Sequence, residues 1–135
     1  MTTRRANSLD DVRTLAAIAA RAADEKKATS TVVLEVGSIL AITDAFVITS
    51  APNVRLVKTI ADEVEHQVKA GGGPSPLRIE GLDDARWVLV DYGDFVVHVF
   101  LDEVRTYYDL ERLWSDAAKV DWERLVTELP AATGG

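Results

Sequence analysis

Asp91 and His98 flank a Gly93-Asp94 turn, and an acid beside an imidazole could be two members of a catalytic triad. The nucleophile is missing. No Gly-x-Ser-x-Gly elbow occurs, and Ser38, Ser50 and Ser75 have no comparable context. Asp91 and Asp94 could instead hold a metal as paired carboxylates. Asp94, however, stands in a tight turn, where aspartate is favoured for backbone reasons. His66 lies among Glu63 and Glu65, which suits a solvated helix face better than a metal site. Gly71-Gly72-Gly73 follows a helical pattern and precedes none, so it lacks the helix N-terminus that a phosphate-cradling loop needs. There are no cysteines, which removes disulfides, thiolate ligands and cysteine nucleophiles. No catalytic residue, metal ligand set or cofactor is expected.

The elements that position these residues follow from periodicity and punctuation. Residues 1–7 read as a flexible tail. Ser8 is a good N-cap, with Asp11 three residues later. Val12, Leu15, Ala16 and Ala19 then recur at helical spacing and predict a helix over residues 9–26. Thr31–Val36 and Ala45–Thr49 are β-branched and apolar, and so close in sequence that they should pair antiparallel. Asn53 opens a second helix whose ridge is Val57, Ile60, Ala61, Val64 and Val68. Pro74 and Pro76 lead into a short edge strand, Leu77–Glu80. Strand, helix and strand suggest a right-handed βαβ unit with parallel strands. Trp87–Tyr92 and Phe95–Phe100 form a hairpin through a two-residue turn of type I′ or II′. A short helix or two turns should follow near Val104–Trp114, then a final helix near Trp122–Leu129, then a tail from Pro130.

The hairpin has two unlike faces, because side chains alternate along a strand. Val88, Val90, Tyr92, Phe95, Val97 and Val99 form an apolar face suited to the core. Trp87, Leu89, Asp91, Val96, His98 and Phe100 form a mixed face, with Asp91 and His98 as diagonal neighbours. Left open, that face resembles the aromatic centre of a protein interface. Covered by a helix, it would hold His98 as a satisfied half-buried histidine. Hairpin geometry leaves both readings open.

Composition agrees with one small α/β domain. The chain has 135 residues, 47% hydrophobic and 27% charged, enough for a real core. No apolar run reaches the ~18 residues of a membrane span, and no export signal is read at the N-terminus. Net charge is −7, from 22 acids and 15 bases. This disfavours phosphate backbones and suits a basic protein partner, although solubility alone would also explain it.

The ordered motifs resemble one family. Ile42-Thr43-Asp44-Ala45-Phe46-Val47-Ile48, Glu80-Gly81 and Trp87-Val88-Leu89-Val90-Asp91-Tyr92-Gly93-Asp94 carry the likeness. So do Val97-His98-Val99-Phe100 and the close Arg105, Tyr107-Tyr108, Leu110-Glu111, Leu113-Trp114. Together they resemble the ribosomal silencing factor, or Iojap-like, family over Leu9–Lys119. The resemblance places a domain at 8–119 and leaves 120–135 as a C-terminal extension. It implies a mixed sheet of about five strands with flanking helices, similar to nucleotidyltransferases but without their active site. It implies a cytoplasmic translational repressor, not an enzyme, that binds the large ribosomal subunit through ribosomal protein fourteen and blocks subunit joining under nutrient limitation. A homodimer when free is also implied, with no membrane contact and little nucleic-acid contact. Carried over by position, the partner surface is Glu80, Trp87, Asp91, Tyr92, His98 and Tyr107. Trp87 would be the anchor, Asp91 and Glu80 would meet basic groups, and His98 would orient Asp91. Tyr92 would reach the rim with its hydroxyl. A divergent nucleotidyltransferase-like enzyme and a dimeric scaffold are the alternatives.

Overall fold

The computed structural model describes residues 8–129, which form five helices and one six-stranded mixed sheet. The tails expected at 1–7 and from Pro130 lie outside the described residues. In chain order the elements are α1 (Leu9–Glu25), β1 (Thr31–Glu35), β2 (Ala45–Ala51), α2 (Val54–Ala70) and β3 (Arg78–Glu80). There follow β4 (Trp87–Asp91), β5 (Phe95–Leu101), α3 (Asp102–Tyr108), α4 (Leu110–Leu113), β6 (Ala118–Lys119) and α5 (Trp122–Thr127). The sheet order is β3-β4-β5-β2-β1-β6. The sixth strand, beyond the five expected, is a two-residue rung on β1. It is too short to carry an alternation pattern.

Local signals set the helix ends. The Ser8 hydroxyl accepts from the Asp11 N–H and the Asp11 carboxylate accepts from the Ser8 N–H, a complete capping box. Asn53 caps α2 by accepting from the Leu56 N–H at 2.8 Å. At the far end of α1 the Ala28 N–H reaches Ala23 O and the Lys27 N–H reaches Asp24 O. That is a Schellman ending, and its left-handed position is held by Lys27 at φ 67 rather than by glycine. Lys27 is exposed, so Lys27→Gly is expected to stabilise the chain by about 1 kcal/mol, read by urea unfolding. A loss of stability would contradict this reading of the turn.

The sheet is covered on both faces. Against one face lie α1, α2 and α5, over Val33, Val47, Val88, Val90, Val97 and Val99. Alanines at 16, 19, 20 and 23 are fully buried and let α1 pack closely between α2 and α5. The other face carries a second core of Leu34, Phe46, Ile48, Val96, Phe100 and Val104, with Leu110 and Trp114 packed on it. β2 is buried along its whole length, as a strand covered on both faces must be. It runs antiparallel to β1, as expected, and its parallel neighbour is β5. As expected of the strand-helix-strand unit, β2 and β3 point the same way in one sheet, with β4 and β5 lying between them.

The boundary drawn after residue 119 meets a segment that is tied into the domain. Trp122 is buried in the first core, and its indole N–H donates to Thr31 O at 3.1 Å.

Candidate partner-binding groove

The hairpin register is the one a two-residue turn dictates: Trp87 faces Phe100, Leu89 faces His98 and Asp91 faces Val96. The Tyr92 N–H donates to Phe95 O at 2.9 Å, closing the turn. Gly93 has φ 86 and Asp94 is not left-handed, which selects the type II′ sign pattern.

The mixed face is not an open sheet surface. After β5 the chain turns straight into α3 and then α4, which fold back over it. Arg105 fastens this cover. Its guanidinium pairs with Glu111 through two 3.0 Å bonds and donates to Ser30 O at 2.6 Å and to Ser50 Oγ at 2.9 Å. Phe100 and His98 are consequently buried. Trp87 stays half-exposed where the cover ends.

An open groove of about 560 Å³ begins at that point. Its aromatic wall is Trp87, Tyr107 and Tyr108, and Asp84, Glu103 and Arg86 line it with charge. Trp87 packs against Phe100 at 4.8 Å and against Tyr108 at 4.9 Å, between ring centroids. Tyr107 meets Tyr108 edge to face at 5.0 Å and is 80% exposed. Gly81 passes close beneath, with φ 90. A β-carbon there would stand 2.1 Å from Trp87 O.

The six residues expected to act together do not form one cluster. Trp87 and Tyr107 share the groove. Glu80 and Asp91 lie near the β3 edge and share one cation. Arg78 donates to Asp91 Oδ2 at 3.2 Å and pairs with Glu80 Oε2 at 3.2 Å. Asp91 also accepts from the Gly93 N–H at 2.8 Å, a bond internal to the turn. Tyr92 is buried in the core under α1 and α2, and His98 is buried on the opposite face of the sheet beside Trp87.

Two assigned roles change as a result. Tyr92 does not reach a rim: its hydroxyl is buried without a partner while its ring stacks on Phe95 at 4.6 Å. Burial, then the charge of Glu65, pushes that phenol upward from its ordinary range. His98 does not hold Asp91. Its Nδ1 accepts from the Trp87 Nε1–H at 3.1 Å, and its Nε2 is buried with no partner. Burial pulls the imidazole down to about 4, against the opposing charge of Asp91. Tyr108, Asp84 and Glu103 were not selected from sequence. Tyr108 stands beside Tyr107 in the motif, and Asp84 follows Gly81 closely, so adjacency was the available signal.

Among the described residues no three His, Cys, Asp or Glu side chains come together as a metal site. None of the helices there is long and apolar enough to cross a membrane.

Fold and groove define an α/β domain with an open aromatic recess, lined by Asp84 and by an Arg86–Glu103 ion pair at 3.6 Å. The family model described as "Ribosomal silencing factor during starvation" matches residues 9–133. A ribosomal silencing factor of Bacillus subtilis is 43% identical over 77% of this chain and 87% of its own. A mouse protein named "Mitochondrial assembly of ribosomal large subunit protein 1" is 36% identical over 62% of this chain and 37% of its own. The crystal structure of a Chromobacterium violaceum protein superposes with a TM-score of 0.73 at 32% identity, over 77% of this chain and 86% of that one. The chain belongs to the ribosomal silencing factor family.

Proposed function

We propose that this protein is a cytoplasmic translational repressor. It binds the large ribosomal subunit through ribosomal protein fourteen and keeps the small subunit from joining, above all under nutrient limitation. The groove of Trp87, Tyr107 and Tyr108 carries the reading. Large aromatics at a half-desolvated site are what a protein–protein anchor requires. Arg86 and Glu103 pair at 3.6 Å, and with Asp84 the groove keeps a net negative charge, which in a chain of net charge −7 favours a basic partner and speeds its encounter. The family's description points to silencing during starvation, and the mouse relative's name points to the large subunit. The free protein is a homodimer in this reading, which exposed Tyr107, Tyr108 and Leu113 support.

Gradient co-sedimentation tests it. The chain should travel with isolated large subunits and not with joined ribosomes. Trp87→Ala should weaken binding about 30-fold, an anchor worth ~2 kcal/mol. Tyr107→Ala should weaken it about fivefold without changing stability, because that ring is almost free of the fold. If both variants bind like the parent, the groove is not the site. Equal binding to joined ribosomes would remove the blocking mechanism.

A further inference from the structure

We propose that His98 is a positioning residue: it accepts the indole N–H of Trp87 and so fixes the ring presented to the partner. This inference rests on the groove reading above.

The fold retains His98 at a cost. Its surroundings are aromatic and apolar, with Phe46 at 4.7 Å edge to face and Phe100 at 6.1 Å in parallel. Because Nδ1 accepts, the ring proton lies on Nε2, and Nε2 is buried without a partner. A buried donor with no acceptor is a net penalty. Phenylalanine would fill the same space among these rings without that penalty. What imidazole supplies, and phenylalanine cannot, is the acceptor for Trp87.

Trp87 needs that acceptor. Its ring packs tilted against Phe100, at 32°, and Tyr108, at 45°, and apolar contacts of that kind do little to choose between an indole and its turned-over form. The N–H is the one polar atom that tells the two apart. With the nitrogen edge drawn into the core, the groove meets the carbon part of the ring. Burial keeps His98 neutral through the physiological range, so Nδ1 remains an acceptor there.

The test joins spectroscopy with a double-mutant cycle. In His98→Phe, the Trp87 indole N–H resonance should shift upfield and exchange with water at least tenfold faster. The Trp122 resonance, bonded to Thr31 O, should stay in place. Large-subunit binding should fall about fivefold, because only about a fifth of the free chains then hold the ring in the presented orientation, with the melting midpoint kept or raised. In a Trp87→Phe background, which has no N–H, the same His98→Phe change should alter binding less than twofold. His98→Asn retains an acceptor at the δ position and should keep the indole N–H protected, which covers the case of a His98→Phe chain that does not fold. An unmoved indole resonance in folded His98→Phe overturns the proposal. So does a full fivefold effect in the Trp87→Phe background, or an unprotected indole in folded His98→Asn. Wild-type protein that binds no large subunit removes the groove reading itself, whereas wild-type binding with an additive cycle removes only the positioning role.

Discussion

A Gly81→Ala variant is expected to lose about 3 kcal/mol or more of stability and to lose large-subunit binding with it. Gly81 has φ 90, where an L side chain is already strained. The added methyl would also stand 2.1 Å from Trp87 O, a backbone atom that cannot swing aside as a side-chain tip would. Relief must come from moving the connection between β3 and β4, and Trp87 moves with it. Gly72 provides the comparison. Its φ is 93, but a β-carbon there meets nothing within 4 Å. Gly72→Ala should therefore cost only the backbone strain, ~1–2 kcal/mol, and leave binding intact. Urea unfolding of the two variants separates strain from collision. Equal losses would mean that the contact with Trp87 contributes nothing.

Trp122→Ala should cost about 3–5 kcal/mol, as truncation of a buried tryptophan does. The side chain is 9% exposed, packs in the core beneath α1 and satisfies Thr31 O. Its removal leaves a cavity and an unpaired carbonyl together. Truncation after residue 119 should destabilise at least as much, because α5 then leaves α1 altogether. Melting curves of both variants decide the matter. If the chain ending at 119 melts with the full protein, the domain ends there as the motif span suggests, and α5 is an appendage.

Much of this structure was legible in the sequence because local chemistry enforces it. Ser8 and Asn53 mark helix starts through bonds made within three residues. The Gly93-Asp94 turn sets the register of β4 and β5, and the register sorts every side chain by face. What sequence did not yield depends on distant returns of the chain. Val104, Leu110 and Trp114 are apolar at irregular spacing, so nothing local says that they fold back over Phe46 and Phe100. The role of His98 shows the same limit. Register places both Trp87 and Asp91 diagonally from it. Arg78, arriving from β3, together with the Gly93 N–H, occupies Asp91, and His98 is left to Trp87. Choosing between the two diagonals required the edge strand's position, which no local pattern contains.

The two outermost strands set how another chain can approach. β3 has three residues and β6 has two, and both carry charge, at Arg78, Glu80 and Lys119. Rims this brief offer an extended polypeptide only a few main-chain bonds. Stacking of copies rim to rim into fibres is thereby discouraged at high cellular concentration, and so is capture of a stray peptide by β-augmentation. Recognition is left to side chains, so selectivity here can be retuned by point substitution without rebuilding the sheet.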